Sequence, residues 1–226
     1  YEEGYGLSKK GIDFAFKEQI SLIITLDCGI RAVKEVNYAN QKGIDIIICD
    51  HHNPGKILPE AYTILNPKQI DCKYPFKDLC GCGVGFKFIS AYYIKTNLNI
   101  KETYSYLDLL ALATVADIVP IIDENRIYAY YGLKKINQNP NKGLDYLIKR
   151  SDRINEIKSS DISFGIAPLI NAAGRISHAK NAVKLFIEND SIHIKKYAEV
   201  LYLNNKERRL VEKNIFEEAL KKLNKN

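Results

Sequence analysis

The sequence predicts an α/β fold, with an open, mostly parallel sheet and flanking helices in the first half and a helical second half. Two short apolar runs, residues 22–26 and 44–49, have the length and β-branched composition of buried strands. Apolar side chains recur at helical spacing between them, from residue 31 to residue 42. Beyond residue 83 helical spacing prevails almost to the last residue.

The strand, helix and strand of residues 22–49 form a βαβ unit. Gly43 stands where a glycine commonly ends a helix, directly before the second strand. Two strands that are joined through a helix lie parallel in one sheet. A third short strand is predicted at residues 62–65, and a polar loop follows it as far as Leu79.

The second half is predicted to consist mainly of helices. Four of them are expected at residues 84–96, 104–115, 124–137 and 142–149. Residues 151–163 are polar and predict a surface connection, and residues 165–175 predict an apolar loop with small side chains. Two more helices follow, and the last runs from about Ser191 to the end of the chain.

The composition is that of a globular protein. Lysine and arginine number 33 against 27 aspartates and glutamates, and this net charge of +6 favours a polyanionic partner only if the excess is clustered. The five cysteines form no CxxC pair, which fits a reduced protein. No run is long enough for a membrane span and no leader opens the chain. We therefore expect a cytoplasmic protein without a membrane partner. A monomer is a separate expectation.

Acidic and imidazole side chains follow both strands of the βαβ unit. Asp27 comes directly after the first strand, and Asp50, His51 and His52 come directly after the second. Carboxyl ends of parallel strands share one edge of an open sheet, where ligands are usually bound. Carboxylate and imidazole groups suit manganese, magnesium or zinc. The alternative is that residues 50–52 form a polar turn, but Asp27 beside them favours a metal site.

Asp117 is a further candidate because apolar residues surround it on both sides, in residues 113–120 (Ala-Thr-Val-Ala-Asp-Ile-Val-Pro). An ionised carboxylate in such a setting is costly unless it is paired or bound to a metal. Asp117 is therefore predicted to be a metal ligand, a member of a salt bridge or a helix cap.

Seven segments together resemble RecJ-like nucleases of the DHH phosphoesterase family, and they occur in the family's order. Four of them are residues 25–29 (Thr-Leu-Asp-Cys-Gly), 50–54 (Asp-His-His-Asn-Pro), 113–120 and 171–175 (Asn-Ala-Ala-Gly-Arg). The others are residues 3–6 (Glu-Gly-Tyr-Gly), 81–86 (Gly-Cys-Gly-Val-Gly-Phe) and 205–209 (Asn-Lys-Glu-Arg-Arg). The resemblance spans nearly the whole chain.

The resemblance implies roles for individual residues. Asp27, His51 and Asp117 are expected to bind metal, and two ions, Mn²⁺ or Mg²⁺, are expected in the intact enzyme. Asp50 is expected to orient or join the metal shell, and His52 is expected to face the scissile phosphate; we name both as catalytic.

Four further groups can serve either binding or structure. Arg175, and with it His178, are expected to bind nucleic-acid phosphate, the alternatives being a salt bridge and an ordinary histidine. Residues 81–85 are interpreted as tight helix packing rather than a phosphate loop. Residues 206–209 either contact nucleic acid or form a solvated face.

The chain departs from the family in one respect: the Asp-x-Asp pair of the first motif occurs nowhere in the 226 residues. Since the chain also contains no methionine, we interpret it as an internal piece that begins after that motif. The domain expected by resemblance is residues 1–190, with residues 191–226 as a helix leading to a further domain. The piece alone is expected to bind metal poorly and to show little or no hydrolysis.

The intact enzyme is expected to hydrolyse single-stranded DNA from 5′ to 3′ in recombination and repair. Single-strand-binding protein and a helicase are expected partners. Two alternatives stay open: a phosphodiesterase of short oligonucleotides or cyclic dinucleotides, and a non-catalytic scaffold that binds nucleic acid. Asp27, Asp50, His51, His52 and Asp117 argue against the scaffold, because a scaffold has no need of them.

Overall fold

A computed structural model describes residues 5–151, 156–176 and 179–223. The chain forms two compact units, Tyr1–Tyr130 and Tyr131–Asn226. In the part of the chain described, no helix is both long and apolar enough to cross a membrane. The domain predicted at residues 1–190 stays a prediction.

The first unit contains a three-stranded parallel sheet in the order β1-β2-β3. The strands are β1 (Leu22–Leu26), β2 (Asp45–Cys49) and β3 (Thr63–Leu65). Leu22 pairs with Asp45 and Leu26 with Cys49, so β1 and β2 run in register along their full length. The predicted parallel α/β fold is confirmed.

Two helices cover one face of this sheet, α1 (Lys9–Lys17) and α2 (Val33–Gln41). They share a core with the sheet, made by Ile12, Ala15, Val36, Ala39, Ile44, Ile46 and Ile48. Of these two helices, α2 was predicted from the sequence and α1 was not. A second core lies around the end of β2 and contains Cys49, Phe76, Leu79, Val84, Leu110 and Tyr128. Burial on both faces explains why the sequence of β2 is almost continuously apolar.

β1 differs from the buried strand that the sequence predicted. Leu22, Ile24 and Leu26 are exposed, and Thr25 is buried between the latter two. The three exposed side chains alternate along the strand and therefore share one side. β1 lies at the edge of the sheet, and no strand of the described residues pairs with its free side. The first unit thus presents an apolar strand edge beside Asp27.

After the loop of residues 66–80, the first unit is mainly helical. This part comprises α3 (Gly81–Lys95), a 3₁₀ helix (Ile100–Tyr106) and α4 (Leu107–Ala116), and α5 (Asp123–Gln138) starts within it. Glu124 connects these parts. Its carboxylate accepts hydrogen bonds from Tyr74 at 2.7 and 2.8 Å, from Lys87 of α3 at 3.0 Å and from Tyr128 at 3.3 Å. This cluster fixes the loop before α3 against α3 and α5.

The second unit is helical, as predicted. It contains α6 (Lys142–Arg150), the single turn α7 (Ser159–Asp161), a π-helical turn (Ile162–Ile166), α8 (Ala167–Ile176), α9 (Lys180–Ile187) and α10 (Ser191–Leu223). The loop predicted at residues 165–175 is wrong, because these residues belong to the π turn and α8. Its small residues Ala172 and Ala173 are fully buried, so they serve close packing rather than a loop.

We expect Glu124→Ala to destabilise the first unit by roughly 1–3 kcal/mol, since one buried donor, Tyr128, and two half-buried donors, Tyr74 and Lys87, lose their acceptor. Urea unfolding of the two proteins measures the difference. Glu102→Ala is a matched control, because Glu102 is exposed and its replacement should change stability by less than roughly 0.5 kcal/mol. Equal effects of the two substitutions would contradict a structural role for Glu124.

Candidate metal centre

Two neighbouring strands end in the residues that the sequence singled out. Asp27 follows β1, and residues 50–52 (Asp-His-His) follow β2. The Asp27 N–H donates a 2.8 Å hydrogen bond to the Cys49 carbonyl, which extends the pairing of the strands by one step. Asp27 adopts a left-handed backbone conformation with φ of 64°, and the chain leaves the strand there.

Asp117 reaches the same place from the end of α4, where it is the C-cap residue. The His51 Nε2 atom lies 3.1 Å from Asp27 Oδ1 and 3.4 Å from Asp117 Oδ2. The structure therefore brings together the three residues that were predicted to bind metal.

The arrangement of these atoms fits a divalent cation better than a hydrogen-bonded cluster. Asp27 Oδ1 is buried and accepts no hydrogen bond of acceptable direction, although it lies 3.1 Å from His51 Nε2. His51 Nδ1 is also buried and has no partner among the described residues. Buried polar atoms of this kind are rare unless an ion or water satisfies them. Adjacent ligands of an octahedral ion with bonds of about 2.1 Å are about 3.0 Å apart, close to the observed spacing.

An ion could reach this cluster from solvent. The Asp27 and Asp117 side chains are 47% and 38% exposed, whereas the His51 side chain is 10% exposed. The imidazole thus forms the floor and the carboxylates form the open side. His52 lies next to them, and one ligand atom each of Asp27, His51 and His52 fall within 4.8 Å of one another.

Asp50 is buried and bonded entirely to the protein. Its Oδ2 accepts the Ile30 N–H at 2.9 Å, and its Oδ1 accepts the N–H groups of His51 and His52 at 2.7 and 3.1 Å. The same Oδ1 lies 2.7 Å from His52 Nδ1, which leaves His52 Nε2 for a substrate or an ion. Of the two expected roles, these contacts favour orienting the histidines over joining the metal shell.

Negative charge contributes to the pKa shifts of His51 and Asp117, and hydrogen bonds set that of Asp50. The pKa of His51 is raised by Asp27, which lies beside the His51 Nε2 atom, and by Asp117, although burial acts to lower it. Burial and the nearby Asp27 raise the pKa of Asp117, although His51 opposes them. Burial acts to raise the pKa of Asp50, but its hydrogen bonds from Ile30, His52 and His51 outweigh burial and lower it. Carboxylates that repel one another are stabilised by a cation.

Gly81, the first residue of α3, packs directly against Asp27. A Cβ atom at this position would lie 2.2 Å from Asp27 Oδ1 and 2.5 Å from Asp27 Cβ, which only a glycine avoids. Gly85 lies one turn further along and would place a Cβ atom 3.2 Å from Leu26. These contacts support the packing interpretation of residues 81–85.

Two residues that follow the third strand were not predicted from the sequence. Asn66 is buried and donates a 2.9 Å hydrogen bond to the His52 carbonyl, and its Oδ1 accepts the Lys68 N–H at 2.8 Å. The positive charge of Lys68 acts on both His51 and Asp117. The signal was present, because Asn66 follows β3 just as Asp27 and Asp50 follow β1 and β2.

The two residues expected to bind phosphate lie elsewhere in the chain. Arg175 belongs to α8 in the second unit, and its side chain is not among those described. His178 lies outside the described residues. Their phosphate contacts stay predictions.

Comparison with known proteins supports the sequence resemblance. Residues 4–114 match the family described as "DHH family, N-terminal domain". Single-stranded-DNA-specific exonuclease RecJ of Bacillus subtilis strain 168 is 40% identical over 221 residues, which cover 97% of this chain and 27% of that protein.

Two solved structures are similar over most of the chain. A crystal structure of exonuclease RecJ bound to manganese has a TM-score of 0.86 and 29% identity, covering 98% of this chain and 55% of that one. RecJ of Thermus thermophilus in complex with Mn²⁺ has a TM-score of 0.82 and 29% identity, covering 93% and 31%. The chain thus spans between about a quarter and a little over half of these relatives.

Gly81→Ala should weaken binding of Mn²⁺ by roughly tenfold or more, because the added methyl group displaces the Asp27 carboxylate. The loss of the free-ion EPR signal during titration measures the affinity. Gly83→Ala is the matched control: it lies in the same helical turn, and its Cβ atom would meet Leu79 at an ordinary 3.4 Å. Equal affinities of the two variants for Mn²⁺ would show that the packing of Gly81 against Asp27 does not position the Asp27 carboxylate.

Proposed function

We propose, from the premise that this chain belongs to the DHH family, that it forms the metal-binding part of a nuclease that hydrolyses phosphodiester bonds in single-stranded DNA. The observation that carries the proposal is the meeting of Asp27, His51 and Asp117, with His51 Nε2 at 3.1 and 3.4 Å from the two carboxylates. Two relatives of known structure hold manganese, according to their descriptions.

Asp27, His51 and Asp117 would hold the cation, Mn²⁺ or Mg²⁺, in a site expected to take two ions. Such ions supply a water of lowered pKa and stabilise the charge that develops on the phosphoryl group. The protein contributes the geometry. Asp50 holds the His52 ring through Nδ1 at 2.7 Å, which directs Nε2 away from Asp50. When both ring nitrogens carry a proton, Nε2 can donate a hydrogen bond to a phosphate oxygen or a leaving group. Lys68 adds positive charge that acts on Asp117 and His51.

Among the described residues, the side chains that meet at this site are too few to ligate two ions. Three side chains fill only part of two coordination shells, and the Asp-x-Asp pair is absent from the 226 residues. The free edge of β1 ends beside Asp27 and exposes Leu22, Ile24 and Leu26. We propose that a further strand, from outside these residues, pairs with this edge and brings the missing acids. The 226 residues alone should then show little or no hydrolysis.

The finer features of the function are proposals that rest on family resemblance. They are a 5′-to-3′ direction, a role in recombination and repair, single-strand-binding protein and a helicase as partners, a monomeric state and a cytoplasmic location. The relatives' names support single-stranded DNA as the substrate, because they describe single-stranded-DNA-specific exonucleases.

Hydrolysis of short oligonucleotides or cyclic dinucleotides is the second candidate, since the same metal centre could perform it. The similarity to RecJ over 97% of the chain favours the long substrate. A non-catalytic scaffold is disfavoured by the convergence of the metal-binding side chains.

In a longer form that includes upstream residues, we expect Mn²⁺-dependent degradation of 5′-labelled single-stranded DNA. Asp27→Asn should lower the rate by roughly 100-fold or more, because it removes a charged ligand. Asp45→Asn is the matched control, since Asp45 is exposed and stands at the opposite end of β2. Intact labelled DNA would refute the nuclease and favour a scaffold, whereas equal degradation rates of the two variants would contradict the metal-binding role of Asp27. Faster turnover of dinucleotides than of long strands would favour the second candidate.

A further inference from the structure

The second unit carries an open groove of about 560 Å³ between the end of α6 and the middle of α10. Four cations line it, Arg150, Lys206, Arg209 and Lys213, against one acid, Glu199. The whole groove lies within the second unit and is separate in sequence from the metal centre. Its charge is therefore a local surplus, although the net charge of the whole chain is only +6.

The cations on α10 form a regular row. Lys206, Arg209 and Lys213 follow one another at intervals of three and four residues, and Tyr202 precedes Lys206 by four, so all four lie on one face of the helix. Like charges at this spacing repel one another. An anion that contacts several of these cations would offset their repulsion.

Two members of the row have no acidic partner within the described ranges, namely Lys206 and Arg209. Arg208, between them in sequence, behaves differently: it donates to Asn205 Oδ1 at 3.1 and 3.2 Å and forms an ion pair with Glu212. Within residues 205–209, Arg208 and Asn205 therefore bond to each other along the helix. Lys206 and Arg209 line the groove, and neither forms an ion pair with any described acid.

The opposite wall holds a cation in a fixed position. The Arg150 guanidinium lies 5.0 Å from the centre of the Tyr202 ring and 3.2 Å from Glu199 Oε1. The Tyr202 hydroxyl donates to the Leu147 carbonyl at 3.2 Å, which ties α10 to α6. Leu203 and Leu210, which also line the groove, are 64% and 54% exposed. Cations and apolar surface therefore alternate along the same face.

We propose that this groove binds the phosphodiester backbone of single-stranded nucleic acid, with Lys206 and Arg209 as its main contacts. Lys206 and Lys213 are separated by about 10.5 Å along the helix, the length of about three stacked nucleotides. Proteins that bind single strands combine such a basic track with apolar or aromatic surface for the bases. The nucleic acid as ligand rests on the proposed function, but the groove is a second site that contributes binding and no chemistry.

The test is binding of a fluorescein-labelled oligothymidylate to the whole chain in EDTA, followed by fluorescence anisotropy at several salt concentrations. We expect Lys206→Glu with Arg209→Glu to weaken binding at least about tenfold and to make the log–log salt slope less negative by about 1 to 2. Lys134→Glu with Lys142→Glu is the control: it makes the same change in net charge in the second unit at exposed residues that do not line the groove. It should change the affinity less than twofold.

Three results would overturn the proposal. The groove variant could bind oligothymidylate as tightly as the original chain, or the control variant could lose as much affinity as the groove variant. In the third, the groove variant keeps its affinity for oligothymidylate but loses the original chain's binding to polyglutamate. The last would identify an acidic peptide as the ligand. Thermal unfolding by circular dichroism confirms that both variants are folded; if the groove variant is not, Lys206→Gln with Arg209→Gln replaces it. Because EDTA removes metal, the outcome is independent of hydrolysis. Failure of the groove proposal would appear in this binding assay, whereas failure of the proposed nuclease function would appear only in the assay of DNA degradation.

Discussion

The candidate site depends on the register between β1 and β2. The two strands are parallel and in register, and the hydrogen bond from Asp27 N–H to the Cys49 carbonyl is the last step of that pairing. A slip by one residue would send every side chain of one strand to the opposite face and would separate Asp27 from His51. The packed isoleucines of β2, Ile46 and Ile48, oppose such a slip, because they are fully buried against α1 and α2.

In that register, the burial of each residue at the carboxyl edge of the sheet determines whether it supports the histidines or can contact an ion. Asp50 is 1% exposed and uses both oxygens within the protein, so its role is to hold the following histidines. Asp27 and Asp117 keep one side open to solvent. Asn66 supports His52 from the third strand. The open carboxylates can therefore meet an ion while the buried polar residues keep the imidazoles in place.

The sequence was sufficient to predict the site residues at the strand ends. It was insufficient to predict the residues that pack against them. Asp27 and residues 50–52 were predictable because each follows a strand of the βαβ unit. The contact between Gly81 and Asp27 was not, since it joins segments more than fifty residues apart, and the close approach depends on tertiary packing. The loop predicted at residues 165–175 failed for a related reason: small residues such as Ala172 and Ala173 resemble an apolar loop when the residues that bury them are unknown. The exposure of β1 likewise depends on what lies beside it.

Anomalous diffraction from crystals of the protein soaked in Mn²⁺ tests the central claim most directly. A metal centre at this edge predicts an anomalous peak about 2.1 Å from Asp27 Oδ1, His51 Nε2 and Asp117 Oδ2. The peak should be absent from crystals of the Asp27→Asn protein. A peak bound only by residues away from the ends of β1 and β2, or no peak at saturating Mn²⁺, would contradict the account.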